Sequence, residues 1–252
     1  MLESHSIGTS PWDKADMISH LEEFMSVYES KPVADNHGGQ KAAQLLKAAQ
    51  LFYSWYVAKK MKPDIIIESG VYKGQGTWAF ENASPNSEMI CLDPYLKNYE
   101  GYRSKKAQYL EVDFKQVNWS SITDKSKVLC FFDDHQNAFE RIVQMKVHGF
   151  KVAMFEDNYP EGQGDCVSHK KIFEFPEKYH VLPDYSAAEY LTKVVKLYQE
   201  LPPIFSLDKT RWGTSWSSHR SNSPLFEESV EKFQVFKNEM DQYTWINYLE
   251  LN

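Results

Sequence analysis

Five short apolar runs in the middle of the chain each end on an acidic residue, and this repeated pattern is the feature that most constrains the fold. The runs are DIIIE at 64–68, EMICLD at 88–93, QYLEVD at 108–113, KVLCFFD at 127–133 and KVAMFED at 151–157. Helical patterns alternate with these apolar runs. Such alternation is typical of parallel strands that helices cover on both faces. We therefore predict an α/β protein with a mostly parallel sheet.

Further elements are predicted on both sides of this block. Apolar residues at helical spacing predict helices at 14–30 and 41–61, and Pro63 ends the second of them. Patterns later in the chain predict helices at about 136–147, 167–174, 186–199 and 225–241, and a late strand at 243–251.

Charge and composition exclude several classes of protein. The 252 residues fit one α/β domain with additions, and the net charge of −7 argues against general nucleic-acid binding. No stretch is apolar enough to span a bilayer, and the N-terminus lacks the features of a signal peptide. Three scattered cysteines, Cys91, Cys130 and Cys166, have neither zinc nor disulfide spacing. These features favour a cytoplasmic protein without membrane or nucleic-acid partners. Assembly into a homo-oligomer is left open.

The acidic residues at the strand ends are predicted to share one edge of the sheet. In parallel α/β sheets, ligands bind outside the carboxyl ends of the strands. The residues expected at that edge are Glu68, Asp93, Asp113, Asp133 or Asp134, and Glu156 or Asp157.

A glycine-rich stretch, ESGVYKGQGTW at 68–78, follows the first strand of the block. Its spacing differs from the G-x-G-x-x-G of dinucleotide-binding loops, and it lacks the Lys-Ser/Thr ending of a P-loop. An ordinary glycine-rich turn is the alternative. Asp93 lies 23 residues after Gly70 at the next strand end, where a carboxylate can accept hydrogen bonds from both ribose hydroxyls of a nucleoside. Asp113, at the third strand end, would then face the adenine edge.

The combination of E-x-G-x-x-x-G, LDP and EVD resembles the class I S-adenosylmethionine-dependent methyltransferases over roughly residues 60–175. The resemblance implies that S-adenosyl-L-methionine is the cofactor and that Asp93 contacts its ribose. The other candidate cofactor contacts are Glu68, Gly70 and Gly74 around the methionine part, together with Tyr72, Thr77, Asp113 and Asp133. A nicotinamide-dependent dehydrogenase is the alternative that the glycine spacing disfavours.

Two acidic groups, Asp133-Asp134-His135 and Glu156-Asp157-Asn158, end what would be adjacent strands. Because neighbouring strands lie about 4.8 Å apart, these carboxylates are expected to converge. Clustered carboxylates repel one another unless protons or a cation intervene, and Mg²⁺, Mn²⁺ and Ca²⁺ take such oxygen ligands. Helix capping by an aspartate is the alternative.

These two groups also resemble the metal-dependent methyltransferases that act on sugar hydroxyls of macrolides, and the cephalosporin hydroxylase family. The resemblance implies that Asp134 or Asp133, with Glu156 and Asp157, holds Mg²⁺ or Mn²⁺. It also implies that His135 is the catalytic base, assisted by Asp134. The D-D-H group is shorter than the usual D-x-D-H form, so the choice between the two aspartates stays open.

Candidate substrate contacts come from three loops. The segment ADNHGGQ at 34–40 contributes Asp35, His37 and Gln40, unless it is only a polar connecting turn. The glycine-rich segment at 158–170 is predicted to move as a lid. It contributes Asn158 and His169, while Lys170 is expected to be solvated. Trp212 is a candidate for stacking on a sugar ring, and a buried loop anchor is the alternative.

The sequence as a whole predicts a Rossmann-like methyltransferase fold with a mostly parallel seven-stranded sheet, helices on both faces and an N-terminal helical extension. Residues 1–62 would form the extension and cover the acceptor side, and residues 63–252 would form the methyltransferase domain. The predicted activity is metal-assisted O-methylation of a sugar or glycan hydroxyl. Alternatives are a catechol-type or other small-molecule O-methyltransferase, and a non-catalytic binding protein on the same fold.

Overall fold

The structure is a computed structural model that describes residues 2–32, 47–238 and 243–252. The candidate substrate residues Asp35, His37 and Gln40 therefore lie outside the described residues. The strands are β1 (Ser6–Ile7), β2 (Ile65–Ser69), β3 (Glu88–Leu92), β4 (Ala107–Leu110), β5 (Val128–Phe132), β6 (Val152–Phe155), β7 (His180–Leu182), β8 (Tyr185–Ser186), β9 (Val195–Glu200) and β10 (Asn247–Leu251).

The described helices follow the predicted alternation with strands. They are α1 (Lys14–Tyr28), α2 (Ala48–Met61), α3 (Gln75–Ala83), α4 (Ala138–His148), α5 (His169–Glu174), α6 (Ala187–Val194) and α7 (Gln234–Asn238). None of the helices in these described ranges is both long and apolar enough to cross a membrane.

The main sheet has the strand order β1-β9-β10-β6-β5-β2-β3-β4. Strands β2 to β6 pair in parallel, whereas β10 is antiparallel to both β6 and β9. Chain order reverses at β2, with β3 and β4 on one side and β5 and β6 on the other. Ligands bind in the crevice that such a reversal opens at the carboxyl ends of the strands. The predicted Rossmann-like fold with a mostly parallel sheet is confirmed. The sheet has eight strands rather than seven, because the two-residue β1 pairs with β9.

Each central strand packs one face against one group of helices and the other face against another group. Along β2, Ile66 belongs to the core that contains α1, α2 and α3, while the next residue, Ile67, belongs to the core that contains α4, α5 and α6. Leu129 and Cys130 of β5 divide between the two cores in the same way. Because successive side chains of a strand point to opposite faces, strands buried on both sides read as the continuous apolar runs seen in the sequence.

The described part of the N-terminal segment packs into the same core as the sheet. Phe24 of α1 meets Phe52 of α2 with ring centroids 5.4 Å apart, and both side chains are fully buried. The Asp13 side chain accepts a hydrogen bond from the Ala15 backbone N–H and so caps the start of α1. The division at residue 62 stays a prediction.

Two predicted helices are wrong in part. The helix predicted at 186–199 ends at Val194, and the chain continues as β9. Val195 and Leu197 are buried while Lys196 is exposed, an alternation that suits a strand, and pairing with β1 and β10 satisfies the backbone of β9. The helix predicted at 225–241 is reduced to α7 and a preceding 3₁₀ turn within the described residues. In β9, pairing with strands that are distant in sequence outweighed the local preference for a helix.

Candidate functional site

A cavity of about 910 Å³ opens at the carboxyl ends of the central strands. This volume lies at the upper end of the range for small-molecule sites. Its wall includes most of the residues predicted at the site, namely Gly70, Tyr72, Asp93, Asp113, Asp133, Asp134, His135, Glu156, Asp157 and Trp212. The predicted convergence of the acidic strand ends is therefore seen for all of them except Glu68, which does not line the cavity.

The turn after β2 brings the cavity wall close to the end of β5. Gly70 has φ +93°, and a Cβ atom built there would lie 2.0 Å from the backbone oxygen of Asp133. Both the backbone angle and the close approach require glycine at this position. The Asp133 backbone N–H in turn donates to the Ser69 carbonyl oxygen over 2.9 Å, which fixes the two strand ends together.

Three of the predicted cofactor contacts lie behind this turn rather than on the cavity wall. Gly74 precedes α3 with φ +78°, and a Cβ there would lie 2.2 Å from the Tyr102 backbone oxygen. Glu68 is 1% exposed and accepts hydrogen bonds from the Thr77 hydroxyl and, over 3.4 Å, from the Cys91 thiol. Burial raises the pKa of Glu68 to about 7. Glu68, Gly74 and Thr77 thus support the glycine turn from inside the fold.

Asp93 lies on the wall and holds the backbone of the glycine turn. Its Oδ2 atom accepts from the N–H groups of Val71 (3.2 Å) and Tyr72 (2.9 Å), and its Oδ1 atom accepts from the Tyr95 N–H (2.8 Å). An ionised carboxylate offers about four acceptor positions, so about one remains for a ligand. Contact of Asp93 with both ribose hydroxyls stays a prediction, and it would need one acceptor position more than this count leaves.

The wall beside Asp93 is aromatic. The rings of Tyr72 and Tyr99 meet edge to face with centroids 4.6 Å apart. The Arg103 guanidinium donates to the carbonyl oxygens of Tyr72 (3.2 Å) and Tyr99 (2.9 Å), which links the two loops. Sequence reasoning missed Tyr99 and Arg103, although the three tyrosines that follow LDP were a readable signal.

Arg141 of α4 divides the acidic edge. Its guanidinium contacts Asp113 through Nη1 (3.0 Å) and Nη2 (2.8 Å), and Asp134 through Nε (3.0 Å). The Ser69 hydroxyl also donates to Asp134 over 2.6 Å. Burial raises the pKa of Asp134 although Arg141 lies beside it. Asp113 is more exposed, and the two hydrogen bonds from Arg141 outweigh its burial and lower its pKa. The carboxylates of Asp113 and Asp134 are thus both paired with the Arg141 guanidinium.

Asp133 is not among the carboxylates that pair with Arg141 in the described residues, and it forms a second cluster with His135 and Asp157. One ligand atom from each of these three residues lies within 4.8 Å of the other two. His135 Nδ1 is 3.1 Å from Asp157 Oδ2 and 2.9 Å from Oδ1 of Asp165. His135 has φ +54°, an uncommon angle for a residue other than glycine. Asp165, which the sequence reasoning missed, is therefore the hydrogen-bond partner of the predicted base.

Among the described residues, no lysine or arginine forms an ion pair with Asp133 or Asp157, and His135 is the one basic side chain beside them. Burial and then the neighbouring Asp157 raise the pKa of Asp133 well above its usual range, and the same two causes raise that of Glu156. Burial alone would lower the pKa of His135, but Asp157, Asp133 and Asp165 outweigh it and raise the pKa to about 9. The metal-free cluster therefore retains protons at neutral pH.

The donor set of this cluster fits a hard divalent cation. Within the part of the chain that the structure describes, the buried Asp157 Oδ2 has no hydrogen-bond donor, although His135 Nδ1 lies nearby. The carboxylate oxygens of the cluster are the kind of ligand that Mg²⁺ and Mn²⁺ prefer. Asp133 and Asp157 belong to this cluster, Asp134 does not, and Glu156 lies beside it on the cavity wall.

Two predicted substrate contacts and one solvated lysine require correction, because all three side chains lie in the core. Asn158 donates to the Tyr198 hydroxyl (2.8 Å) and to the Trp245 carbonyl oxygen (3.0 Å). His169 is fully buried, and its ring packs 4.5 Å from that of Phe155. Lys170, expected in solvent, is 0% exposed and lies 3.1 Å from the Glu200 carboxylate.

Trp212, by contrast, lies on the cavity wall and is 42% exposed. Its ring meets that of Tyr159 edge to face at 4.7 Å, and the Arg211 guanidinium lies 4.8 Å from the Trp212 ring centre. Lys47 and Gln50, at the start of α2, also line the cavity. Sequence reasoning identified Trp212 but missed Arg211, Tyr159, Lys47 and Gln50.

Comparison with solved structures returns methyltransferases. The chain is similar to the S-adenosylhomocysteine-bound methyltransferase PaMTH1 of Podospora anserina, with 14% identity, 75% of this chain and 74% of that chain covered, and a TM-score of 0.40. It is also similar to a putative caffeoyl-CoA O-methyltransferase of Staphylococcus aureus, with 15% identity, 56% of this chain and 66% of that chain covered, and a TM-score of 0.32. For CmcI in a form with Mg and SAM, the identity is 14%, the covered shares are 62% of this chain and 69% of that chain, and the TM-score is 0.35. No family model and no curated protein sequence matches the chain.

Proposed function

We propose that this protein transfers a methyl group from S-adenosyl-L-methionine to a hydroxyl group, with a divalent metal ion bound beside the acceptor. One observation carries the proposal. The glycine turn with Asp93 and the cluster of Asp133, His135 and Asp157 open into the same cavity, at the point where strand order reverses. A methyl-donor site and a cation site that share one cavity suit a metal-assisted transfer.

The methyl donor would lie along the glycine turn. Gly70 lets the turn pass close to the Asp133 backbone, and Asp93 keeps about one acceptor position for a ribose hydroxyl. The edge-to-face pair of Tyr72 and Tyr99 offers an aromatic surface to the adenine ring. Asp113 lies on the same wall, but Arg141 already pairs with its carboxylate.

The metal ion would be held by Asp133 and Asp157, with Glu156 beside them. When bound, the donor supplies a methyl group on a positively charged sulfur, and the ion supplies a Lewis acid that lowers the pKa of a hydroxyl group. Asp134 would not be a ligand, because Arg141 and Ser69 occupy its carboxylate.

His135 is the candidate for removing the proton of the acceptor hydroxyl. The transfer forms a bond between the acceptor oxygen and the methyl carbon and breaks the bond from that carbon to sulfur, so the hydroxyl proton must leave. His135 is 56% exposed at its side chain and lies on the cavity wall. The Asp165 carboxylate orients its Nδ1 atom. Because the neighbouring Asp157, Asp133 and Asp165 raise the pKa of His135 to about 9, its use as a base near neutral pH requires a cation that offsets their charge.

A sugar or glycan hydroxyl is the acceptor that we propose. The exposed face of Trp212 on the cavity wall suits stacking against a sugar ring. The segment at 1–62 would cover this side, as Lys47 and Gln50 already contribute to the wall. A catechol or another small molecule is the second candidate, because the aromatic surfaces suit a planar ring equally well.

Calorimetry with S-adenosylhomocysteine tests the donor site. We expect wild-type protein to bind it and Asp93→Ala to bind it at least about tenfold more weakly, the effect of one hydrogen bond to a charged group. Asp93→Asn, which keeps one acceptor oxygen, should lie between them. Asp184→Ala removes an exposed carboxylate and serves as the control. Equal affinity for wild type and Asp93→Ala would overturn the assignment of the donor site.

Release of S-adenosylhomocysteine in the presence of Mg²⁺ separates the acceptor classes. Rhamnose-type glycosides and catechols would be compared under identical conditions. We expect turnover with the glycosides. Turnover with catechols alone would favour the second candidate, and cofactor binding without any turnover would favour a non-catalytic binding protein.

A further inference from the structure

Arg211 is a cation on the wall of a cavity that is otherwise rich in carboxylates. The wall also contains seven acidic residues, namely Asp93, Asp113, Asp133, Asp134, Glu156, Asp157 and Asp165. A second arginine at this edge, Arg141, is paired with two of them. Arg211 is different, because within the described ranges no carboxylate lies within 4.0 Å of its guanidinium.

The contacts of Arg211 fix its position but use few of its donors. Nη1 donates to the Tyr159 hydroxyl over 3.1 Å, and the guanidinium carbon lies 4.8 Å from the centre of the Trp212 ring. Tyr159 is only 4% exposed and is therefore a rigid support. A guanidinium carries five N–H donors, so most of them remain for a ligand. The planar arrangement of these donors matches the oxygens of a carboxylate or a phosphate.

We propose that the hydroxyl compound bound in this cavity carries a carboxylate or phosphate group, which Arg211 recognises while the ring of the compound lies against Trp212. This inference rests on the proposed function in one respect, which is that the compound is taken to be the methyl acceptor. Arg211 then selects the acceptor by charge and holds its anionic group beside the Trp212 ring. A neutral sugar or a simple catechol of similar size would lack this anchor.

Equilibrium binding of matched anionic and neutral sugars tests the proposal without requiring turnover. The first pair is 4-nitrophenyl β-D-glucuronide and 4-nitrophenyl β-D-glucoside, which differ in one carboxylate. The second pair is glucose 6-phosphate and glucose, which differ in one phosphate. Each would be titrated into the full chain by calorimetry, with and without Mg²⁺ and S-adenosylhomocysteine. The variants are Arg211→Gln, Arg211→Lys and the control Lys209→Gln, which removes an exposed cation from the same loop.

For at least one pair, we expect wild-type protein to bind the anionic member about 10- to 100-fold more tightly, the range for hydrogen bonds to a charged group. Arg211→Gln should lose this preference, Arg211→Lys should keep part of it, and Lys209→Gln should keep all of it. The pair that shows the preference identifies carboxylate or phosphate as the source.

Equal affinities within both pairs, a preference that survives in Arg211→Gln, or no binding of any probe would overturn the proposal. Failure of the proposed function would give a different result, because S-adenosylhomocysteine would then not bind. The preference for the anionic sugar would still be measured in the titrations without S-adenosylhomocysteine. Circular dichroism of each variant checks that the fold is intact.

Discussion

Arg141 and Asp134 form a buried ion pair at the carboxyl end of β5, with Arg141 Nη2 2.8 Å from Asp134 Oδ2 and the arginine side chain only 3% exposed. The same guanidinium also holds Asp113 at the end of β4. This arrangement removes Asp134 from the group of carboxylates that need a cation and leaves Asp133 and Asp157 in it. The position of one arginine thus divides the acidic edge into a half that is paired with Arg141 and a half whose one basic neighbour among the described residues is His135.

Replacing Arg141 should strongly destabilise the fold. Arg141→Met leaves Asp113 and Asp134 without their partner, and removal of one member of a buried ion pair costs about 3–5 kcal/mol. The free energy of unfolding from urea titration measures this change. Lys146→Met, on the same helix, removes an exposed hydrogen bond to the Asn252 carbonyl oxygen and should change little. A cost for Arg141→Met as small as that of the control would contradict the pairing.

The two adjacent aspartates should differ in metal binding. Asp133→Asn removes a proposed ligand and should abolish measurable Mn²⁺ binding in electron paramagnetic resonance titrations. Asp134→Asn alters only a neighbour of the ligands and should weaken binding by less than about tenfold, the low end for such outer partners. Similar losses in the two variants, or a larger loss in Asp134→Asn, would show that the assignment of Asp133 is wrong.

The glycine turn should tolerate no side chain at position 70. Gly70→Ala combines a strained backbone angle with a Cβ atom 2.0 Å from the Asp133 backbone oxygen. Left-handed strain and overpacking together should cost on the order of 3–5 kcal/mol. Gly213→Ala is a matched control, because Gly213 also has a positive φ of +78° but has nothing within 4 Å of the added Cβ. Gly213→Ala should lower the free energy of unfolding only by the backbone strain, about 1–2 kcal/mol. Urea unfolding of both variants measures the difference, and equal costs would contradict the close approach.

The buried Glu68 should make the protein less stable as pH rises from about 4.5 to about 7. Burial raises the pKa of Glu68 from 4.5 to about 7, so the folded state holds a proton that the unfolded state has lost across this range. A shift of this size corresponds to about 3 kcal/mol of stability that is present at low pH and lost above the folded-state pKa. Glu68→Gln, which cannot ionise, should flatten this part of the curve.

Urea unfolding at a series of pH values would compare wild type with Glu68→Gln. The difference between the two curves isolates Glu68 from other groups such as Glu200, whose pKa is also raised to about 7 by burial. A difference that does not change with pH would show that Glu68 stays ionised in the folded state.

The sequence by itself determined the central sheet and the edge at which the site lies. Apolar runs such as those before Asp93 and Asp133 are local signals, and the rule that ligands bind at the carboxyl ends of parallel strands then places their acidic ends together. Gly70 was also readable, because the turn that follows β2 is defined by adjacent residues. All three lie on the cavity wall in the structure.

Only the tertiary structure decided which of these residues has which partner. Asp133 and Asp134 are neighbours with the same chemistry, and their roles separate because Arg141 on α4 pairs with one and Asp157 after β6 lies near the other. Such choices depend on contacts between residues that are remote in sequence. A side chain's pattern in the sequence is set by its neighbours along the chain, whereas its charge partner is set by the packing of helices against the sheet.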